Sequence, residues 1–166
     1  MSVSAEQALA LLDGLAVAGV DAAVDGGWGI DALLGAQTRP HDDLDLVIDV
    51  ADLPAVRRSL ADAGFALERD LLPTALALRH PDGRGVDLHP VEPVAGGGGD
   101  QVLEDGTRWR YGPHSTGRIA GREVPCVSAE TQLAAHLDYE PDADDRADVA
   151  ALCARFGLQL PPACAG

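Results

Sequence analysis

Three aspartates in two short apolar segments are the first candidates for a metal-binding or catalytic role. Asp43 and Asp45 lie two apart in DLDLVI, and Asp87 lies two before His89 in VDLHPV. Because side chains two apart on a β-strand share a face, each pair is predicted to emerge on one side of its strand. If the strands are neighbours, three carboxylates converge, a set suited to Mg²⁺. A D-x-D pattern alone is more often a solvated strand edge.

A glycine pair precedes these acids and changes their interpretation. Gly26 and Gly27 follow a predicted strand and open a predicted helix. Backbone N–H groups at a helix start attract anions, and glycine lets an anion approach them closely. A tight turn without a ligand remains the alternative when this turn is taken alone. With the D-x-D pair about sixteen residues later, the turn predicts a nucleoside triphosphate pocket.

The segments DGGWGIDALLG and TRPHDDLDLVI resemble a known signature, G-G-W-x-x-D…R-x-H-x-D-x-D. This signature is typical of small antibiotic nucleotidyltransferases of the DNA polymerase β-like superfamily. The chain is most similar to the lincosamide nucleotidyltransferases, and next to the aminoglycoside 2″-adenylyltransferases. VDLHPV and the segment from Val124 to Leu152 also resemble the lincosamide group. The resemblance extends over residues 25–152.

The resemblance implies an activity and a set of cofactors. The expected reaction moves AMP from ATP to a hydroxyl group of a small-molecule antibiotic, with two Mg²⁺ ions. A lincosamide is the expected acceptor. An aminoglycoside is the alternative within the enzyme class, and a non-catalytic nucleotide-binding regulatory protein of the same fold is the alternative outside it. A purely structural α/β module would leave the crowded acids unexplained.

The resemblance also implies residue roles. Asp43 and Asp45 correspond to the metal-binding carboxylates, and Asp87 to a third acid that is either a metal ligand or the general base. The residues expected to bind the triphosphate are Gly26, Gly27, Trp28, Arg39 and His41.

Several other polar residues are open to more than one interpretation. Asp31 is expected either to stabilise the helix dipole or to orient a substrate or metal-bound water. His89 is a candidate substrate contact because it shares a face with Asp87. The acidic run Asp142, Asp144, Asp145 and Asp148 is expected to be mostly a capped, solvated helix start. Because Asp145 and Asp148 share a helix face, a role in receiving the substrate or in docking on the first domain is left open.

The net charge of the chain limits the kinds of molecule that it is expected to bind. The chain of 166 residues has a formal net charge of −15, and all 12 basic residues are arginines. No nucleic-acid partner is expected, since such binding needs a basic surface. An acidic field suits a cationic acceptor and favours polycationic aminoglycosides, whereas the motifs favour lincosamides. We give the motifs more weight because overall charge often reflects solubility.

Cysteine spacing and hydropathy predict a cytoplasmic protein with no membrane contact. Cys126, Cys153 and Cys164 are far apart and predict neither a disulfide framework nor a zinc site. The N-terminal residues lack the basic leader of a signal peptide, and no apolar run approaches about 20 residues.

The element pattern predicts the fold class α/β (α+β), a mixed β-sheet flanked by helices with a C-terminal helical pair. We expect one nucleotidyltransferase domain over residues 1–166. Within it, residues 1–95 form the catalytic core, residues 96–127 a strand-rich acceptor side, and residues 128–157 the C-terminal helices. Gly96–Gly99 is expected to be a flexible connection. A short chain has little surface to enclose two substrates, which makes a homodimer with shared sites a further hypothesis.

Overall fold

The computed structural model describes residues 2–137 and 139–164 as one mixed sheet flanked by helices. The helices are α1 (Ala5–Val17), α2 (Gly26–Leu34), α3 (Leu53–Asp62), α4 (Ala129–Ala135) and α5 (Ala143–Phe156). The strands are β1 (Ala22–Asp25), β2 (Asp43–Asp49), β3 (Ala66–Leu71), β4 (Ala75–Arg79), β5 (Gly85–Pro93), β6 (Gly99–Val102), β7 (Arg108–Tyr111), β8 (Ser115–Ile119) and β9 (Arg122–Cys126). The predicted fold class is confirmed, including the C-terminal helical pair.

The sheet has the strand order β3-β4-β5-β2-β1-β9-β8, and the β6–β7 hairpin extends from the far end of β5. β2 runs antiparallel to β1 and parallel to β5. The strand that contains Asp87 therefore lies directly beside the strand that contains Asp43 and Asp45, which meets the condition for the three carboxylates to converge. β2 is a central strand, so its backbone is hydrogen-bonded on both edges.

Alternation along the central strands gives the sheet two unlike faces. The apolar side chains of one face, including Leu44, Leu46 and Leu88, are fully buried under the helices. Burying each such side chain stabilises the fold by about 1.5–3 kcal/mol. The opposite face has a smaller apolar cluster, which consists of Ala23, Val47, Val91, Tyr111 and Val127. The intervening aspartates of β2 and β5 lie on this second face, because period-2 alternation leaves them no other side.

Helix ends follow local sequence chemistry with one exception. Ser4 and Asp142 each begin a helix with a capping box. Asp52 occupies the N-cap position of α3 but makes no side-chain cap bond. A 3₁₀ turn over Val50–Asp52 precedes the helix, and Asp49 accepts a hydrogen bond from the Ala51 amide at its start. The side-chain cap therefore lies one turn before α3.

The glycine run between β5 and β6 is a hydrogen-bonded hairpin turn rather than a loose connection. Gly96, Gly97 and Gly98 all have positive φ, and the Gly97 amide donates to the Val94 carbonyl oxygen at 3.2 Å. A Cβ on Gly98 would lie 2.6 Å from the Gly112 carbonyl carbon, so glycine is required there. Gly99 is already part of β6.

Two composition-based predictions can be compared with the described residues. Cys126, Cys153 and Cys164 are buried free thiols. Across residues 2–137 and 139–164, no helix has the length and apolar character that a bilayer crossing needs.

Candidate active site

Strand register aligns the carboxylates across the centre of the sheet. Asp45 on β2 is directly opposite Asp25 on β1 and Asp87 on β5. Asp43 lies two residues before Asp45 on the same face, and Asp43, Asp45 and Asp87 are all partly exposed. The structure therefore brings the three predicted acids together at one open edge of the second face.

Crowding of these acids changes their protonation. Burial, together with the negative charges of Asp45 and Asp87, raises the pKa of Asp43 to about 6. Burial also raises the pKa of Asp87, and Asp45 adds to this effect. The positive charge of Arg79 opposes the shift in Asp43, but Arg79 is itself paired with Glu68 at 3.0 Å. The site thus has an excess of negative charge that a cation would relieve.

These carboxylates fit a magnesium site that the substrate completes. Among the described residues, no three Asp, Glu, His or Cys side chains are arranged to hold a metal ion by themselves. Mg²⁺ commonly takes one or two carboxylates and fills its remaining positions with phosphate oxygens and water. The mutual repulsion within the Asp43, Asp45 and Asp87 group is the observation that favours such an ion.

The raised pKa of Asp43 predicts a specific pH dependence of stability. Asp43 binds its proton more tightly in the folded chain, so its stabilising contribution is complete below about pH 4. That contribution is lost as the pH rises through about 6. In urea unfolding of the metal-free protein between pH 4.5 and pH 7.5, the wild type should lose more stability than Asp43→Asn. Parallel pH profiles for the two proteins would contradict the assignment.

The Asp45 carboxylate is held from two sides. His89 Nε2 lies 3.2 Å from Asp45 Oδ1, and Gly26 packs against Oδ2 so closely that a Cβ there would lie 2.8 Å from the carboxyl carbon. Burial is the largest single influence on the pKa of His89 and lowers it, but the hydrogen bond to Asp45 and the negative charges of Asp45, Asp25 and Asp87 together make the net shift upward. Gln101 Nε2 lies 3.4 Å from His89 Nδ1 and donates to the Thr74 carbonyl oxygen at 2.8 Å. His89, predicted as a substrate contact, is therefore placed to orient Asp45.

The glycine pair forms the start of α2 directly after β1. Gly26 has φ +57°, a conformation that favours glycine. The Gly26 backbone N–H interacts with the carboxylate of the N-cap residue, Asp25, but that carboxylate makes no capping hydrogen bond to the later first-turn N–H groups. A Cβ on Gly27 would lie 2.5 Å from His41 Cε1 and 3.1 Å from Arg39 Nη2. An uncapped helix start beside a guanidinium and an imidazole is an anion-binding arrangement.

Of the other residues expected to bind the triphosphate, Trp28 and His41 lie in the interior. Trp28 is 2% exposed, and its ring centroid lies 5.2 Å from that of His41. Trp28 can reach a ligand at this turn through its backbone only. His41 Nε2 lies 2.5 Å from Asp31 Oδ2, and both side chains are buried.

Asp31 connects α2 to the loop before β2. Its Oδ1 accepts hydrogen bonds from the backbone amide of Thr38 at 3.0 Å and from the hydroxyl of Thr38 at 2.6 Å. With His41 on its second oxygen, this 2% exposed carboxylate is fully engaged inside the protein. The geometry gives Asp31 the task of fixing the loop that contains Arg39 and His41.

Two residues on the second face of the sheet, beside the carboxylates, were not predicted from the sequence. Asp25 is buried in register beside Asp45 and accepts a hydrogen bond from the hydroxyl of Tyr111 at 3.0 Å. Burial raises the pKa of Asp25. Period-2 alternation from Ala23 could have placed Asp25 on this face. No sequence signal indicates Tyr111, which is 86 residues away along the chain.

Comparison with solved structures identifies the class of protein as a nucleotidyltransferase. A structure titled as the lincosamide antibiotic adenylyltransferase LnuA with lincomycin bound matches with a TM-score of 0.83 and 28% identity, over 94% of this chain and 100% of that one. The chain belongs to the aminoglycoside-2″-adenylyltransferase family, whose model matches residues 7–152. The resemblance stated from the sequence is confirmed.

Two further relatives place the chain within this group. A lincosamide resistance protein of Staphylococcus haemolyticus is 31% identical over 128 residues, which cover 76% of this chain and 80% of that protein. The structure of ANT(2″)-Ia with adenylyl-2″-tobramycin shares the fold, with a TM-score of 0.70 and 20% identity over 92% of this chain and 89% of that one. Among these relatives, the greater similarity is to the lincosamide proteins.

Proposed function

We propose that this protein transfers AMP from ATP to a hydroxyl group of a lincosamide antibiotic, with Mg²⁺ as cofactor. The observation that carries the proposal is the position of Asp45. It lies in register with Asp87 on one side, and its carboxylate packs against Gly26 at the start of α2 on the other. Carboxylates that could bind a metal thus lie beside a helix start that could bind an anion, which is what a metal-bound triphosphate requires. We call this part of the structure, formed by Asp43, Asp45, Asp87 and the start of α2, the corner.

Each residue of the corner has a defined task in this mechanism. The first-turn amides of α2, with Arg39, bind the phosphates and oppose the charge that develops on them. His89 and Gly26 hold the carboxylate of Asp45 in one orientation. Mg²⁺ held by Asp43 and Asp45, with Asp87 as the third acid, would activate the acceptor oxygen and stabilise the leaving pyrophosphate.

The β6–β7 hairpin supports residues 96–127 as the acceptor side of the single domain. Gln101 of β6 reaches His89, and Tyr111 of β7 reaches Asp25. Both contacts brace the hairpin against the face that contains the carboxylates.

An aminoglycoside is the second candidate acceptor. The net charge of −15 favours a polycation, and the family to which the chain belongs is named for aminoglycoside adenylyltransferases. Greater similarity to the lincosamide proteins in identity and TM-score outweighs the charge argument.

A pyrophosphate-release assay tests the proposal. The panel contains four nucleoside triphosphates and both antibiotic classes, each with and without Mg²⁺. We expect release with ATP and a lincosamide that depends on Mg²⁺. Release with aminoglycosides but not with lincosamides would show that the acceptor is an aminoglycoside. Nucleotide binding without release for any acceptor would favour the regulatory alternative.

Replacing Asp87 separates its two candidate roles. If Asp87 is the general base, Asp87→Asn should lower kcat by about a hundredfold while Mg²⁺–ATP affinity stays near normal. If it is a metal ligand, affinity should fall as well, and raised Mg²⁺ should restore part of the activity. Titrating activity against Mg²⁺ distinguishes the two. Full activity of the variant at every Mg²⁺ concentration would remove Asp87 from the site.

A further inference from the structure

We propose that Asp148, on α5, is a positioning residue that holds Arg39 over the phosphate-binding turn. The inference rests on the proposed function, because it assumes that the turn at Gly26 and Gly27 binds the triphosphate of ATP. It adds a residue 109 positions away from Arg39 to the nucleotide site. It also gives the C-terminal helix a task in nucleotide binding.

The contact between the two side chains is close. Asp148 Oδ2 accepts two hydrogen bonds from Arg39, one from Nε at 3.2 Å and one from Nη2 at 2.8 Å. Because two N–H groups donate to one oxygen, they fix the plane of the guanidinium as well as its distance from the Asp148 carboxylate. Charge-assisted bonds of this kind are about twice as strong as neutral ones.

Burial makes Asp148 a rigid anchor. Its side chain is 6% exposed, whereas that of Arg39 is 30% exposed. Asp148 lies on the buried side of α5 next to Val149 and Leu152, so its carboxylate cannot follow a mobile partner. Arg39 lies on the loop between α2 and β2 and has a long flexible side chain, which would otherwise sample many rotamers.

The anchored guanidinium lies where a phosphate would need it. Nη2 of Arg39 is 3.1 Å from the position that a Cβ on Gly27 would occupy. Nη1 of the same arginine donates to the Pro40 carbonyl oxygen at 3.4 Å and lies 3.9 Å from Asp144 Oδ2. Nη2 carries two hydrogens and gives one to Asp148, so its second N–H stays available for a phosphate oxygen at the turn.

The chain offers a matched control on the same helix. Asp144 is also an acid of α5 close to Arg39, but its side chain is 69% exposed and its oxygen lies 3.9 Å away. Asp144→Asn removes the same charge as Asp148→Asn without removing the two short bonds. A difference between these variants measures positioning rather than net charge.

The experiment is calorimetric titration of the variants with Mg²⁺ and a non-hydrolysable ATP analogue. We expect Asp148→Asn to weaken binding about tenfold, and Asp144→Asn to leave it within about twofold. Arg39→Ala should weaken binding at least as much. Arg39→Ala combined with Asp148→Asn should be no weaker than Arg39→Ala alone, because Asp148 acts through Arg39.

Two additional measurements keep the inference falsifiable if Asp148→Asn unfolds. Thermal unfolding of each variant reports folding, and Arg39→Lys tests the contact from its exposed partner. Lysine keeps the charge but cannot make the two-bond contact, so we expect a similar loss of affinity and a raised KM for ATP. Wild-type affinity in Arg39→Lys or in folded Asp148→Asn overturns the inference. Tighter binding in Asp148→Asn also overturns it, since Asp148 would then compete with phosphate. If the unaltered chain does not bind the analogue, the proposed function fails as well.

Discussion

Asp45→Asn is expected to abolish nucleotidyl transfer, lowering kcat by about a thousandfold or more. The fold holds the Asp45 carboxylate between Gly26 and His89 and in register with Asp87. Asparagine has the same shape but lacks the negative charge that a divalent cation requires. The fold should tolerate the change, because Asp45 is partly exposed and neutralising it relieves repulsion with Asp43 and Asp87.

Asp49→Asn is the matched control for this variant. Asp49 lies on the same face of β2, four residues or about 13 Å along the strand. Its side chain accepts one hydrogen bond from the Ala51 amide, which asparagine can also accept. We expect near wild-type kcat for Asp49→Asn. Turnover in Asp45→Asn that matches this control, at saturating Mg²⁺, would exclude Asp45 from the metal site.

Gly26→Ala is expected to reduce kcat by about a hundredfold, because it displaces the Asp45 carboxylate. A methyl group at Gly26 would overlap Asp45 Oδ2 and lie 2.8 Å from its carboxyl carbon. A misplacement of about 1 Å at a catalytic group commonly costs two orders of magnitude in rate. The positive φ of +57° also strains alanine, at a cost of about 1–2 kcal/mol in stability. Steady-state kinetics and thermal unfolding measure the two effects separately.

Gly35→Ala separates backbone strain from displacement of Asp45. Gly35 ends the same helix with φ +76°, and a Cβ there would meet no atom within 4 Å. The two variants should lose similar amounts of stability, but only Gly26→Ala should lose activity. Equal kinetic losses in both would mean that strain in α2, rather than contact with Asp45, limits turnover.

Local patterns in the sequence were sufficient to predict the catalytic face. Asp43, Asp45 and Asp87 alternate with apolar residues that must face the helices, so period-2 spacing determined their common side. The glycine pair predicted the turn into α2 from another local effect: Gly26 has positive φ, which few other residues adopt. These features depend on neighbours within a few residues, and such neighbours can be read from a sequence.

Contacts between distant segments could not be predicted in the same way. The Tyr111–Asp25 and Arg39–Asp148 hydrogen bonds join residues 86 and 109 positions apart. Both depend on how the hairpin and α5 pack on the core, which no local spacing encodes. Asp148 was expected to be part of a solvated helix start, with substrate binding or docking left open; its side chain is instead 6% exposed, and its bond to Arg39 is a docking contact. Asp31 illustrates the same limit, because only the folded loop brings Thr38 and His41 to its oxygens.

The central claim is that this protein adenylylates a lincosamide, and mass spectrometry of the antibiotic tests it most directly. Lincomycin is incubated with the protein, ATP and Mg²⁺, and the Asp45→Asn variant is treated in parallel. The account predicts that lincomycin gains the mass of one adenosine monophosphate with the wild type and remains unchanged with the variant. Unmodified lincomycin in the wild-type reaction, under conditions where an aminoglycoside gains that mass or no acceptor does, would contradict it.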